Sequence, residues 1–262
     1  MPVLYYVRHG ETDLNSQGRL QGRRDTVLNA HGRRQAAECG VLLRDLFARD
    51  HRQPQEFKYI SSPLKRARET MEILRGTLGL EAHDYEADAR LVEIAYGEWE
   101  GLTLTEIEAR NGAVLTRRER DKWDFAPPGG ESYRQLADRI GAWYRSLTSD
   151  TVVAAHGGGV RALMALLKIL PEEQASHAPI EQGVVYVFAD GKMSRCLSGS
   201  NSWSAKQKRP NTVQPLGEIS DPAKSEGRTG AAPIRGVRLH LTSSISSSCS
   251  SSSPWFSSLV LV

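Results

Sequence analysis

A histidine stands between an arginine and a glycine at Arg8-His9-Gly10, directly after the apolar run Val3-Leu4-Tyr5-Tyr6-Val7. Arginine offers a planar fork of donors to a phosphate or a carboxylate. Histidine offers a nucleophilic or proton-carrying nitrogen near neutral pH. Glycine lets the backbone come close to a ligand. Further along, Arg66 follows Ser61-Ser62-Pro63, and Glu93 opens a run with two aromatics and two glycines that ends at Gly101. His156 follows the apolar Thr151-Val152-Val153-Ala154-Ala155 and precedes three glycines. Phosphoryl transfer from an ester needs an in-line nucleophile, cations on the equatorial oxygens and an acid for the leaving alkoxide. These residue types suffice for each. Two histidines and a glutamate could also ligate zinc, but the neighbouring arginines disfavour a divalent cation.

The elements around these residues predict where they stand. Residues 3–7 read as a buried strand, and in open α/β sheets ligands bind beyond the carboxyl ends of strands. Residues 10–28 read as a loop. Asn29 suits a helix N-cap, and Ala36, Gly40, Leu43 and Phe47 mark the buried face that follows. Residues 57–60 read as a second strand. Ser62 is expected to cap the next helix, with Pro63 in its first turn. Leu64, Ala67, Met71, Leu74 and Leu78 form the apolar stripe of that helix and Gly79 ends it. A weak edge strand is expected around His83-Asp84-Tyr85. Thr103-Leu104-Thr105-Glu106 looks like a capping box opening a short helix. Residues 111–130 read as a polar loop ending in Pro127-Pro128-Gly129-Gly130. A helix is expected over 132–147, a strand over 151–155, a helix over 160–170 and a last strand over 184–188, closed by the turn signal Asp190-Gly191. Strands alternating with helices predict an α/β fold with a mainly parallel sheet covered on both faces.

At 262 residues with a net charge of +3, the chain has no basic block that resembles a nucleic-acid arm. Cys39, Cys196 and Cys249 form no close-spaced pair, so neither a disulfide framework nor a zinc knuckle is expected. Cys39 lies on a helical apolar face and is read as a core thiol. No stretch reads as a signal segment or a membrane span, so no membrane partner is expected and a cytoplasmic location is. His31, His51, His83, His177 and His240 are read as surface residues. From about residue 196 Ser, Lys, Arg, Pro and Gly dominate. Such a segment buries too little apolar surface to offset its ordering entropy. The expected organisation is a domain over 1–195 and a low-complexity, disordered tail over 196–262.

Over roughly residues 3–190 the chain resembles the histidine phosphatase superfamily, also called the phosphoglycerate mutase-like family. The motifs that carry the resemblance are Arg8-His9-Gly10-Glu11-Thr12, Asn15, Gln21-Gly22, Ser61-Ser62-Pro63 with Arg66-Ala67, Glu93 ahead of Tyr96-Gly97-Glu98-Trp99, and His156-Gly157. The resemblance implies a three-layer α/β/α sandwich. It implies that His9 is the nucleophile, carried through a phosphohistidine, and that Arg8 and Arg66 grip the phosphoryl oxygens. His156 would be a third donor, charged when phosphate is bound, and Glu93 the general acid and base. Asn15, Gln21, Gly22 and Gly157 would complete the binding of phosphate and substrate. No cofactor and no metal is implied.

The short interval between Glu93 and His156 and the Pro-Pro-Gly-Gly-Glu-Ser run are similar to the phosphatase branch. The expected activity is therefore hydrolysis of phosphate monoesters of small metabolites. The alternatives are a cofactor-dependent phosphoglycerate mutase and a non-catalytic phospho-ligand binder. A homodimer is left open. Arg117, Arg118, Arg120, Lys122 and Trp123 of the covering segment are expected to choose the substrate, and their charge favours one with a further acidic group.

Overall fold

A computed structural model of the chain describes residues 2–197. Its centre is a 6-stranded sheet in the order β3-β2-β4-β1-β5-β6. The strands are β1 (Leu4–Arg8), β2 (Lys58–Ser61), β3 (Glu86–Ala87), β4 (Thr151–Ala155), β5 (Val184–Ala189) and β6 (Lys192–Leu197). The first four in space, β3, β2, β4 and β1, run parallel, while β5 and β6 add an antiparallel edge. The sheet is therefore mixed, with its parallel part carrying the crossover helices.

The helices are α1 (Asp13–Ser16), α2 (Ala30–Arg49), α3 (Lys65–Thr77), α4 (Leu104–Arg120), α5 (Tyr133–Arg145), α6 (Gly157–Leu166) and α7 (Glu172–His177). β1 reads as a continuous apolar run because both of its faces are covered. Leu4 and Tyr6 pack with Leu136, Trp143 and Leu163 in one core layer. Tyr5 and Val7 pack with Leu43, Phe47, Met71 and Leu74 in the other. The alternation of a strand thus feeds two separate cores, α5 and α6 on one side and α2 and α3 on the other. This is the three-layer arrangement the resemblance implies. Cys39 is 1% exposed in the second core.

Sheet order decides what meets at the carboxyl rim. β4 lies between β2 and β1, so the residues that follow β1, β2 and β4 are neighbours in space although they are far apart in sequence. Those residues are His9, the Ser62–Arg66 turn and His156.

Several expected boundaries shift, each for a local reason. Ser62 does not cap α3. Leu64 takes the extended N-cap position, Asp25 Oδ1 accepts the Lys65 N–H at 2.7 Å, and the Ser62 hydroxyl is 2.8 Å from the His156 ring. α6 starts at Gly157 rather than three residues later, so the glycines are its first turn. A tertiary demand described below overrides their poor helix propensity. Residues 112–120 are helical and not loop: Asn111 breaks the helix at φ −160, ψ 78 and its Oδ1 caps a second segment through the Val114 N–H. The loop expected over 10–28 contains α1, closed by a Thr12–Asn15 capping box. The edge strand is β3, just beyond Tyr85. The Asp190-Gly191 turn, both residues at positive φ, leads into β6, which the polar run Lys192–Leu197 had not suggested and which crosses residue 195. The expected tail, with His240 and Cys249, otherwise lies outside the described residues. No helix among the described residues is long and apolar enough to cross a membrane.

Candidate active site

β1 delivers His9 into the interior, where it is 2% exposed. Its backbone N–H donates to the Ala155 carbonyl at 2.8 Å, continuing the β1–β4 ladder by one residue. Its ring Nδ1 lies 2.7 Å from the Gly10 carbonyl oxygen. A carbonyl only accepts, so Nδ1 carries the hydrogen and Nε2 keeps its lone pair. Nε2 is therefore the nucleophilic atom, and it faces the guanidinium of Arg66, whose Nε donates to it at 3.2 Å. Gly10 is required for this geometry. A Cβ there would meet the Gly32 carbonyl oxygen of α2 at 2.2 Å.

Arg66 is fully buried. Its other two nitrogens donate to the Arg24 and Gly22 carbonyls, each at 2.7 Å, which aims the group without neutralising it. Arg8 donates to the Ile180 carbonyl, and its Nε is buried without a hydrogen-bond partner among the described residues. Neither arginine has a carboxylate at ion-pair distance among the described residues. A fully buried cation and a half-buried one without ion pairs are costly, and an entering phosphate would offset that cost.

His156 caps the open end of β4 at 1% exposure. Its ring centroid is 5.2 Å from that of His9. Nε2 pairs with the Ser62 hydroxyl, and Nδ1 is buried without a partner among the described residues. The Glu93 carboxylate reaches the same rim: its Oε1 accepts from the Ile94 N–H at 2.9 Å and from the Gly158 N–H at 3.2 Å. The second contact, in the first turn of α6, explains the glycine there. A Cβ on residue 158 would stand 2.3 Å from Glu93 Oε1.

The cavity enclosed by these groups is about 130 Å3 and is lined by Arg8, His9, Asn15, Gln21, Gly22, Arg66, Glu93 and Gly157. His156 stands behind His9. Of the residues singled out from the sequence, those of the Arg-His-Gly, Gln21-Gly22, Arg66, Glu93 and His156-Gly157 motifs and Asn15 are thus brought together. Asn15 Oδ1 accepts from Gln182 Nε2 at 3.0 Å, and the same amide nitrogen donates to the His9 carbonyl. Gln21 Oε1 accepts from the Thr26 hydroxyl at 2.7 Å. His31, His51, His83 and His177 are exposed, as expected.

The cavity also holds residues that the sequence reading left out, among them Arg19, Tyr96 and Arg161. Arg19 is paired with Glu106 at 2.8 Å. Arg161 donates to the Ala178 carbonyl and the Tyr133 hydroxyl and has no ion pair among the described residues. A signal for it existed: it lies four residues after Gly157, hence on the same helix face. Of the covering-segment residues, Arg118 is buried and Lys122 half-buried, whereas Arg117 and Arg120 are exposed. Burial, then the charges of Arg118 and Arg161, lower the Lys122 ammonium to about 8. Trp123 is buried and stacks on Tyr133 at 6.0 Å; it belongs to the core rather than to the cavity wall.

Burial holds both histidines well below the ordinary range, reinforced by Arg66 and Arg8 for His9 and above all by Arg66 for His156. Both rings are therefore held neutral, and their burial ties them to stability. Below about pH 6.5 the unfolded chain takes up protons on these rings that the folded chain refuses. Stability then falls as pH falls, by up to about 1.4 kcal/mol per pH unit for each ring. Urea titrations of the ligand-free protein between pH 7 and pH 5 are expected to show this slope, and His9→Ala to remove about half of it. A flat profile would contradict neutral burial of the pair.

A family model described as "Histidine phosphatase superfamily (branch 1)" matches residues 4–194. The chain belongs to this superfamily. A 2,3-bisphosphoglycerate-dependent phosphoglycerate mutase of Cytophaga hutchinsonii is 30% identical over 196 residues, 72% of this chain and 87% of that protein. A glucosyl-3-phosphoglycerate phosphatase of Mycobacterium tuberculosis is 37% identical over 182 residues, 64% of this chain and 76% of that one. The solved native structure of the mycobacterial glucosyl-3-phosphoglycerate phosphatase superposes with a TM-score of 0.60 at 30% identity, over 71% of this chain and 89% of that chain. Membership makes the chain an enzyme of phosphoryl transfer of the hydrolase type and accounts for the α/β/α frame.

Proposed function

We propose that the protein is a phosphomonoesterase that hydrolyses phosphate esters of small metabolites through a phosphohistidine on His9. The observation that carries this reading is the His9 Nε2 lone pair, set 3.2 Å from the Arg66 guanidinium in a cavity where Arg8 and Arg66 have no ion pair among the described residues. Arg8 and Arg66 take the equatorial oxygens. The His156 Nδ1 and the first turn of α6 add donors and a favourable dipole. Nε2 attacks phosphorus as the P–O bond breaks, and Glu93 gives its proton to the departing alkoxide. Glu93 then takes a proton from water, which attacks the phosphohistidine and frees phosphate. Because His9 stays unprotonated well below neutrality, the activity extends into mildly acidic solution, in the manner of an acid phosphatase. The location proposed is the cytoplasm.

The substrate carries a further acidic group. Arg161 lines the cavity beside Glu93, and Lys122 and Arg118 lie within electrostatic reach of it. A second carboxylate or phosphate entering there would stabilise a cationic flank that is now self-repelling. Similarity to mutases keeps a second reading in view, since the Cytophaga protein aligns over most of its length. The deciding experiment is a phosphate-release screen over metabolites with and without a second acidic group, beside a mutase assay with and without bisphosphoglycerate. Phosphate release is expected to dominate. Lys122→Met is expected to raise KM roughly tenfold for the doubly acidic esters alone, the size of one charged hydrogen bond. Mutase turnover that needs the bisphosphate and exceeds phosphate release would overturn the reading.

A further inference from the structure

The segment that carries Glu93 has almost no regular structure of its own. One 3-10 turn ends at Leu91 and the next begins at Gly97. A side chain from α5 holds much of it. Arg139 Nη1 donates to the Arg90 and Val92 carbonyls, each at 2.7 Å. Its Nη2 donates to the Glu93 carbonyl at 3.1 Å and to Glu131 Oε2 at 2.8 Å. Its Nε donates to Glu131 Oε1 at 2.8 Å. A guanidinium has five N–H donors, and here every one has an acceptor.

Glu131 holds the same segment a second time. Its backbone N–H donates to the Ala95 carbonyl at 2.8 Å, and its Oε2 accepts from the Ala95 N–H at 3.4 Å. The pair is mostly shielded, at 18% and 12% side-chain exposure. Carbonyls on both sides of Glu93, and its own, are thus tied to one ion pair. The Glu93 carboxylate extends from this clamp to the rim of the cavity, while Arg139 itself does not line the cavity.

We infer that Arg139, locked by Glu131, is a positioning residue that sets where the Glu93 carboxylate stands relative to the leaving group. The inference rests on Glu93 being the acid. A lysine at this position keeps the charge but has a compact ammonium with fewer donors, so it cannot bridge three carbonyls and a carboxylate at once. The Glu93 loop then loses its register while His9, Arg66 and His156, on other elements, keep theirs. That loss damages protonation of the leaving group and spares attack by the nucleophile. Arg139 also adds positive potential at His156, and the charge-retaining variant separates that effect from the clamp.

The test compares kcat/KM, which reports the steps up to departure of the leaving group, on phenyl phosphate and 4-nitrophenyl phosphate, whose leaving groups differ in basicity, for wild type, Arg139→Lys, Glu131→Gln and Glu93→Gln. Arg139→Lys is expected to lose at least tenfold more in kcat/KM on phenyl phosphate than on the nitrophenyl ester, with inhibition by inorganic phosphate unchanged within about twofold. Glu131→Gln is expected to shift the ratio in the same direction, less far. Thermal melting checks that each variant is folded, and if Arg139→Lys does not fold, Glu131→Gln decides. Equal losses on both esters, or no loss, in a folded variant would overturn the positioning role. A leaving-group split in Glu93→Gln but not in the clamp variants sinks the clamp and leaves the acid standing. No split in Glu93→Gln sinks both.

Discussion

His9→Ala is expected to abolish turnover, by on the order of 10^4-fold or more, because it removes the atom on which the intermediate forms. The fold should survive, for the ring is held mainly by its own Gly10 carbonyl and the Arg66 fork, and both arginines remain to bind phosphate. Phosphate affinity should therefore change far less than kcat. In the wild type, rapid quenching without acid should trap a phosphoenzyme that is stable to alkali and labile to acid, as a phosphoramidate is and a phosphoserine is not. The alanine variant should trap none. Full activity in the variant would remove His9 from the mechanism, whatever the geometry around it.

The site was legible where it depends on strand ends. His9 and His156 each follow a run of apolar β-formers, and a strand has only one carboxyl end, so both had to reach the same rim once the strands were parallel. Helix starts with a self-contained cap were legible because the partner is local: Asn29 and Thr103 accept from the N–H three residues on. Legibility ended where the partner comes from elsewhere in the chain. The Ser62 hydroxyl is within cap range in sequence, but a histidine 94 positions away takes it. The start of α6 is dictated by Glu93, whose carboxylate leaves no room for a side chain at residue 158. Arg139 sits on the flank of an amphipathic helix, and nothing local marks its guanidinium as the anchor of a loop 46 or more positions earlier. Arg66 was the opposite surprise: beside Lys65 and Arg68 it reads as a solvated charge, yet it is the fully buried member of the three.

Charge placement links these features to catalysis. The cavity keeps arginines, neutral imidazoles and a helix N-terminus around a space that holds no anion of its own besides Glu93. Ordering of Arg8, His9, Arg66 and His156 is already complete before substrate arrives, since they are held by backbone carbonyls, a neighbouring ring or the Ser62 hydroxyl. Preorganised donors of this kind need no reorganisation as charge develops on the phosphoryl oxygens.

Glu93→Gln is expected to separate bond-making from bond-breaking in this site. Glutamine keeps the shape, and its amide oxygen can still accept from the Ile94 and Gly158 N–H groups that hold Glu93 Oε1. The variant should fold and bind phosphate much as the wild type does. What it lacks is a proton to give. General acid catalysis contributes about 10^2 to 10^4-fold, and that contribution matters most when the departing oxygen is strongly basic. Phenyl and alkyl phosphates should therefore lose roughly 10^2-fold or more in kcat/KM, while 4-nitrophenyl phosphate, which departs unaided, should lose much less in kcat/KM. With the nitrophenyl ester the later step is exposed instead: Glu93 is also the base that activates water, so the glutamine variant should accumulate phosphohistidine and release nitrophenol in a burst ahead of phosphate. A burst with preserved first turnover identifies one carboxylate serving both steps. Equal losses on all esters with no burst would mean that Glu93 only holds the Gly158 turn of α6 in place.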